Sequence, residues 1–386
     1  MEQILTILEQ LISFRSITPS GKDAIEYIST ILQEHNFKSD IQTFGEGEEE
    51  TTNLYAVFGE GKFNICFAGH IDVVPPGNEA DWTYDPFKMH IDDQKVFGRG
   101  AVDMKGAIAS ALVAVINFLK KYPKPQGTIS FLITTDEEGS GKYGTKEMLK
   151  YITDKYSPIT FCILGEPTSE NQICDTIKIG RRGSINFVLK VSGQQGHVAY
   201  PEKAVNPIPI MNDIVSELLS LKLDDSLNFF QPSNLEFTSI DSGNYISNII
   251  PETITTRFNI RFNNLHTADS LVAKMHEIIN QYTTNYELTY HSPAEAFIQD
   301  FCEEIKHITS IVEKVTGIKP ELGTGGGTSD ARFIHQYAQV VEIGLNSSQA
   351  HKIDEHTEIR DLQTLYNVYY TFLTEFLGLA LKTTVL

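Results

Sequence analysis

The chain has 386 residues, of which 41% are hydrophobic and 21% charged, and carries a formal net charge of −19. That length exceeds what one compact core usually spans, so two domains are expected. The acidic balance disfavours nucleic acid as a partner, because a nucleic-acid binder needs a positive face.

No run of roughly 18 apolar residues occurs, so no membrane span is expected. Residues 1–20 lack a basic segment followed by an apolar run, so no signal peptide is expected either. Cys66, Cys162, Cys174 and Cys302 form no C-x-x-C pair and are read as reduced thiols in a cytoplasm.

Glu2 to Phe14 and Asp23 to His35 have helical periodicity. The acidic run Glu46 to Glu50 reads as a solvated loop, and Asn64 to Ala68 is a short apolar run. Met104 to Tyr122 is a long helix pattern; Thr128 to Thr134 and Thr160 to Leu164 are again short apolar runs. Apolar runs alternating with helices predict a mainly parallel sheet covered on both faces.

The pattern changes near Arg181. Ser184 to Ser192, Leu235 to Ile240, Thr253 to Phe262 and Glu287 to His291 read as strands, with helices at Val205 to Leu221 and Ala268 to Tyr282. This β-α-β-β-α-β order predicts a ferredoxin-like α+β unit. Helical pattern returns at Phe297 to Thr316 and Asp361 to Leu377. The expected fold is thus α/β, with residues 181–292 inserted into a catalytic domain made of 1–180 and 293–386.

The chemistry-bearing residues follow the apolar runs. Gly69-His70-Ile71-Asp72 puts an imidazole and a carboxylate two residues apart, on one face of a strand end. Asp103, in Gly98 to Gly106, stands just before a helix, where an N-cap is the ordinary role. Asp136-Glu137-Glu138 sets three carboxylates side by side, a repulsion that a cation would relieve. Glu166 follows the Thr160 to Leu164 run, and in His351-Lys352-Ile353-Asp354-Glu355-His356 two histidines compete as ligands. Together these make a mixed nitrogen and oxygen donor set that suits Zn²⁺ or its first-row neighbours. Five donors exceed one zinc and suit two ions sharing a carboxylate.

With these motifs the chain resembles the M20 metallopeptidase family over essentially its whole length. The general signals are GHIDVVPPG at 69–77, GRGAVDMKG at 98–106, TTDEEG at 134–139 and GEPT at 165–168. GRRGS at 180–184, GHVAYP at 196–201, SNIIP at 247–251 and GGGTSDARF at 325–333 resemble the branch of the family that removes succinyl groups.

The resemblance implies a zinc-hydrolase catalytic domain carrying a dimerisation or lid domain. It implies two Zn²⁺ per subunit, with Co²⁺ an alternative in the second site. His70 and Glu166 would bind one ion, Glu138 and His351 the other, and Asp103 both. It assigns Glu137 as general base and Asp72 as the carboxylate behind His70. Arg181, Ser184, Tyr200, Asn248, Arg261, Gly327 and Thr328 would recognise substrate, and His197 would reach the partner's site in a homodimer. His351, three residues before the Asp-Glu pair, fits the ligand pattern, and His356 does not. A cis peptide bond is expected between Asp103 and Met104. The implied reaction is hydrolysis of the amide of N-succinyl-LL-2,6-diaminopimelate, a small molecule with several carboxylates. The alternatives are another hydrolase of the family, such as an acetylornithine deacetylase or an aminoacylase, and, more remotely, an inactive binding protein on the same fold.

Overall fold

The computed structural model describes residues 1–378 of the chain. The described residues divide into two compact units: 1–179 with 299–323 and 329–378, and Gly180–Ile298 with Thr324–Thr328.

The first unit is built on an eight-stranded sheet in the order Lys38–Phe44, Thr51–Phe58, Thr128–Thr134, Asn64–His70, Phe161–Leu164, Gln339–Glu342, Thr176–Lys178 and Glu321–Gly323. Pairing is parallel through the centre, from Thr128–Thr134 to Gln339–Glu342, and antiparallel at the Lys38–Phe44 edge. Every residue of Asn64–His70, Thr128–Thr134 and Phe161–Leu164 is buried. That is why these strands read as continuous apolar runs rather than alternating ones: both faces are covered. The helix Lys105–Lys121 is buried nearly all round, and each of its fully buried Leu, Ile, Val and Phe side chains contributes about 1.5–3 kcal/mol of transfer free energy.

A second, small antiparallel sheet pairs Lys95–Phe97 with both His90–Asp92 and His356–Glu358. This pairing sets the segment leading out of Phe97 beside the segment leading into His356. Between Glu46 and Glu50 lies only an exposed 3-10 turn, Gly47–Glu49. Among the described residues no helix is long and apolar enough to cross a membrane.

The second unit is a four-stranded antiparallel sheet in the order Asn234–Asp241, Thr253–Phe262, Gly183–Ser192 and Tyr286–Ala294. Its helices are Pro207–Ser220 and Ala268–Ile279. Numbered along the chain, the strands lie in the order 2-3-1-4, which is ferredoxin-like. Gly183–Ser192 and Thr253–Phe262 alternate between buried and more exposed positions, so one face packs on the helices. Ile185, Phe187, Leu189, Ile214, Phe258, Leu271 and Met275 form its core.

Three boundaries differ from the sequence reading. The last strand of the second unit continues to Ala294, where it still pairs with Ser184, and Phe297–Ile298 pairs with Gly180–Arg181. The unit therefore ends near 298 rather than 292. Helix begins at Glu303 and not at Phe297, because residues 297–298 are spent on that pairing. Residues 324–328, read as part of the catalytic domain, belong to the second unit, where Gly325 and Gly327 carbonyls accept from Arg181.

Candidate metal centre

Three central strands end at the same rim of the first unit's sheet. Parallel pairing puts His70 level with Thr134 and Ala68 level with Leu164, so the residues after each strand converge. His70 is the last strand residue, Asp136 to Glu138 follow Thr134, and Glu166 follows Leu164 by two. Ligand placement outside the carboxyl ends of parallel strands is the general habit of open α/β sheets.

His70 is 1% exposed, and its Nε2 lies 3.1 Å from Asp103 Oδ1 and 3.7 Å from Glu166 Oε1. Across the shared Asp103, His351 Nε2 lies 3.3 Å from Asp103 Oδ2 and 2.8 Å from Glu138 Oε1. The ligand atoms of His70, Asp103 and Glu166 fall within 4.8 Å of one another, and so do those of Asp103, Glu138 and His351. Asp103 belongs to both groups, one oxygen facing each histidine. The peptide bond between Asp103 and Met104 is cis. The Met104 side chain then packs over Gly69, where a Cβ would stand 2.4 Å from Met104 Cε.

The donor set fits a pair of divalent cations. Among the described residues, buried Glu166 Oε1 has no hydrogen-bond partner, an uncommon state for a buried carboxylate oxygen and one that a cation would satisfy. The electrostatics agree. Burial works against the His70 imidazolium, yet Asp103 and Glu166 raise its pKa well above the ordinary value. Burial, reinforced by Glu137 and Asp103, pushes the Glu166 carboxyl well up. Hydrogen bonds donated to the Asp103 and Glu138 carboxylates lift His351 to about 10. Buried carboxylates and imidazoles crowded this closely are a charge arrangement that a cation would relieve.

Asp72 is fully buried beside His70, as the sequence reading expects, and it touches more than the imidazole. His70 Nδ1 lies 2.9 Å from the backbone carbonyl of Asp72, while the Asp72 carboxylate stands 3.6 Å away. The carboxylate also accepts the N–H groups of Glu137, at 3.3 Å, and Glu138, at 3.1 Å. Burial pushes the Asp72 carboxyl up to about 6, against the pull of His70 and those two N–H groups. The three consecutive carboxylates therefore part company. Asp136 turns into its own loop and accepts from Tyr143 N–H, and Glu138 faces His351. Glu137 is half-buried, with its carboxyl pushed well up by burial against the pull of His70 and with Asp330 and Glu138 adding to the rise.

His351 adopts φ +63 and Asp354 φ +56, left-handed conformations that non-glycine residues take only where their surroundings hold them. The Asp354 carboxylate is held by the N–H and hydroxyl of Thr83, at 2.7 and 2.8 Å. His356 lies outside both ligand groups: its Nδ1 is 2.8 Å from the Asp354 carbonyl and its ring packs on Phe97. Two residues missed by sequence reasoning stand behind the centre. Glu355 is fully buried against the 98–103 loop, and buried Arg99 pairs with it at 2.8 Å. The sequence signal was there, in the Asp-Glu pair after His351, which served only as a spacing mark.

The candidate substrate residues all lie in the second unit. Ser184 and Arg261 are direct cross-strand partners, and Ser184 Oγ accepts from Asn259. Buried Arg181 donates to the carbonyls of Gly325, at 3.2 Å, and Gly327, at 3.1 Å. Gly326, at φ +95, leaves the room: a Cβ there would stand 2.8 Å from Arg181 Nη1. Thr328 ends the same segment. His197, Tyr200 and Asn248 are exposed. The His197 ring takes the Ala199 N–H at 3.0 Å and lies 5.7 Å from Tyr200, and the Asn248 carbonyl accepts from Val198.

Comparison with known proteins identifies the family. A model of peptidase family M20/M25/M40 matches residues 66–375. The succinyl-diaminopimelate desuccinylase of Rickettsia bellii (strain RML369-C) is 54% identical over 97% of this chain and 96% of its own length. The enzyme of the same description from Rickettsia felis is 54% identical over 97% of this chain and all of its own. Among solved structures, an M20 family metallo-carboxypeptidase from Sulfolobus solfataricus superposes with a TM-score of 0.77 at 17% identity, covering 97% of this chain and 99% of that one. A family match across most of the chain, relatives at this identity over nearly full length, and the shared fold lead to one statement: the chain belongs to the M20 peptidase family.

Proposed function

We propose that the chain hydrolyses the succinyl amide of N-succinyl-LL-2,6-diaminopimelate, releasing succinate and LL-2,6-diaminopimelate, with two zinc ions per subunit. The observation that carries the substrate is the 54% identity, over nearly the whole of both chains, to proteins described as succinyl-diaminopimelate desuccinylases. The chemistry rests on the paired donor groups around Asp103.

In this reading His70, Glu166 and Asp103 hold one ion, and Asp103, Glu138 and His351 the other. Zinc held there would supply Lewis-acid polarisation of the amide carbonyl and a lowered pKa for the attacking water. Glu137 takes the proton from that water and passes it to the leaving amine. Asp72 fixes the Glu137 and Glu138 backbones through their N–H groups. Arg181 and Arg261 offer charge-assisted bonds to substrate carboxylates, and Ser184, Tyr200, Asn248, Gly327 and Thr328 complete recognition. His197, exposed on its own unit, serves the partner's site in a homodimer by donating to the developing oxyanion. The four free cysteines, three of them buried, favour a cytoplasmic enzyme.

The test is amine release by zinc-loaded and chelator-stripped protein from N-succinyl-LL-2,6-diaminopimelate and from N-acetylornithine. Turnover of the succinyl substrate that is far faster and zinc-dependent supports the reading. Preference for acetylornithine overturns the substrate, and chelator-resistant turnover overturns the metal chemistry.

A further inference from the structure

Four donors converge on the fully buried carboxylate of Glu355. Its Oε2 accepts from Arg99 Nη1 at 2.8 Å and from Gly100 N–H at 2.9 Å. Its Oε1 accepts from Val102 N–H at 2.8 Å and from Asp103 N–H at 3.1 Å. The loop between Gly98 and Asp103 is thus wrapped around one carboxylate. It curls that tightly through Gly100, at φ +83, where a Cβ would collide with Val73 and Lys105.

The same device grips the other side. Arg99 also donates to the carbonyl of Lys352, the residue after His351, at 3.2 Å. Gly98 N–H donates to the Glu355 carbonyl at 3.0 Å, extending the Phe97 and His356 pairing. The Arg99 guanidinium lies 5.0 Å from the Trp82 ring, whose Nε1 is fixed on the Pro76 carbonyl. One ion pair, 2% exposed or less on both sides, therefore ties the loop ending in Asp103 to the loop beginning at His351. These two residues face each other across one donor group, while His70 and Glu166 sit at or beside strand ends that this clasp does not touch.

We propose that Glu355 is a positioning residue which, through Arg99 and the 100–103 backbone, sets the separation of Asp103 and His351 and so governs above all the Asp103, Glu138 and His351 cation site, Asp103 being shared with the other site. The proposal rests on the two-ion reading above. A carboxylate is required because all four donors are N–H groups: a glutamine would turn an amide NH₂ toward two of them.

The experiment is calorimetric titration of metal-free protein with Zn²⁺, comparing wild type, His351→Ala, Glu355→Gln and Arg99→Lys. Wild type should show two binding steps, and His351→Ala identifies the step that belongs to the His351 site. Glu355→Gln should weaken that same step by about 10–100-fold, the usual effect of losing a partner behind a ligand. The other step, which shares Asp103, should weaken clearly less. Arg99→Lys should move the same step in the same direction by less, with the circular-dichroism spectrum kept. Equal affinities in wild type and Glu355→Gln, or equal weakening of both steps, overturns the proposal. Where Glu355→Gln yields no folded protein, Arg99→Lys decides: the same selective loss supports the proposal, and unchanged or evenly weakened steps refute it. A wild type that binds a single ion defeats the two-ion reading itself, and that is seen before any variant is made.

Discussion

Asp72→Asn separates a positioning role from a ligand role. The wild-type carboxylate gives one oxygen to the Glu137 N–H at 3.3 Å and the other to the Glu138 N–H at 3.1 Å, wholly out of water. An asparagine offers one oxygen, so its NH₂ must face one of the two N–H groups. The orphaned buried donor costs about 1–3 kcal/mol. Relief of the burial penalty on the ionised carboxylate offsets part of it, since burial already pushes that carboxyl up to about 6. Stability should therefore drop modestly, and the fold should survive. Activity should suffer more, because both Glu137 and Glu138 lose their backbone anchor and a displacement of about 1 Å at a catalytic group costs roughly 10²-fold. The assay is steady-state hydrolysis with zinc content measured on the same samples. The expected result is kcat down about 100-fold with KM little changed and zinc retained, since every candidate ligand is still present. Wild-type kcat would show that the two bonds do not position the base. Loss of zinc with kcat would place Asp72 with the ligands.

Glu137→Gln removes proton transfer without removing a ligand, so turnover should fall about 10²–10⁴-fold with two ions still bound; loss of one ion would mean that Glu137 and Glu138 have exchanged roles. Mixing inactive His197→Ala chains with inactive Glu137→Gln chains should return about a quarter of wild-type activity if His197 serves the partner's site in a two-fold dimer, and no recovery after verified subunit exchange would reject that arrangement. Glu375 accepts from His307 at 2.6 Å and Lys314 at 2.9 Å. Burial opposes its ionised form, but these two cations hold its pKa below the ordinary 4.5. Its contribution to stability is thus present above 4.5 and lost as pH falls through the lowered value. Urea midpoints measured from pH 6 down to pH 3 should fall further for wild type than for Glu375→Gln, and parallel curves would refute the linkage.

The strands that position the centre were legible because burial on both faces makes a strand a continuous apolar run. Asn64, Thr128 and Phe161 begin three such strands, and each ends at or just before a candidate ligand. The Lys38–Phe44 edge strand went unread for the opposite reason: it is half-exposed and polar, and its pairing with Thr51–Phe58 has no local signature. Gln339–Glu342 and Glu321–Gly323 are too short to carry a period, and they join the sheet only through partners more than a hundred residues away in the chain. The second unit was easier, since Gly183–Ser192 and Thr253–Phe262 alternate cleanly over a one-sided core.

The candidate ligands stand out in the sequence by type and place, but the groups packed behind them do not. A sequence shows that Asp72 follows His70 by two. It does not show that the carboxylate turns past the imidazole toward the backbone of Glu137 and Glu138, because that depends on Thr134 lying level with His70 in the sheet. Glu355 is the sharper case. In the sequence it is a charged residue in a polar stretch, ordinarily solvated. In the fold it is buried, and it is tolerated there only because a loop 252 to 256 residues away in sequence turns three N–H groups and a guanidinium on it. Donor types can be read one residue at a time, whereas the charge balance of a buried carboxylate belongs to everything packed around it. The least legible part of this centre is accordingly what holds its ligands in place.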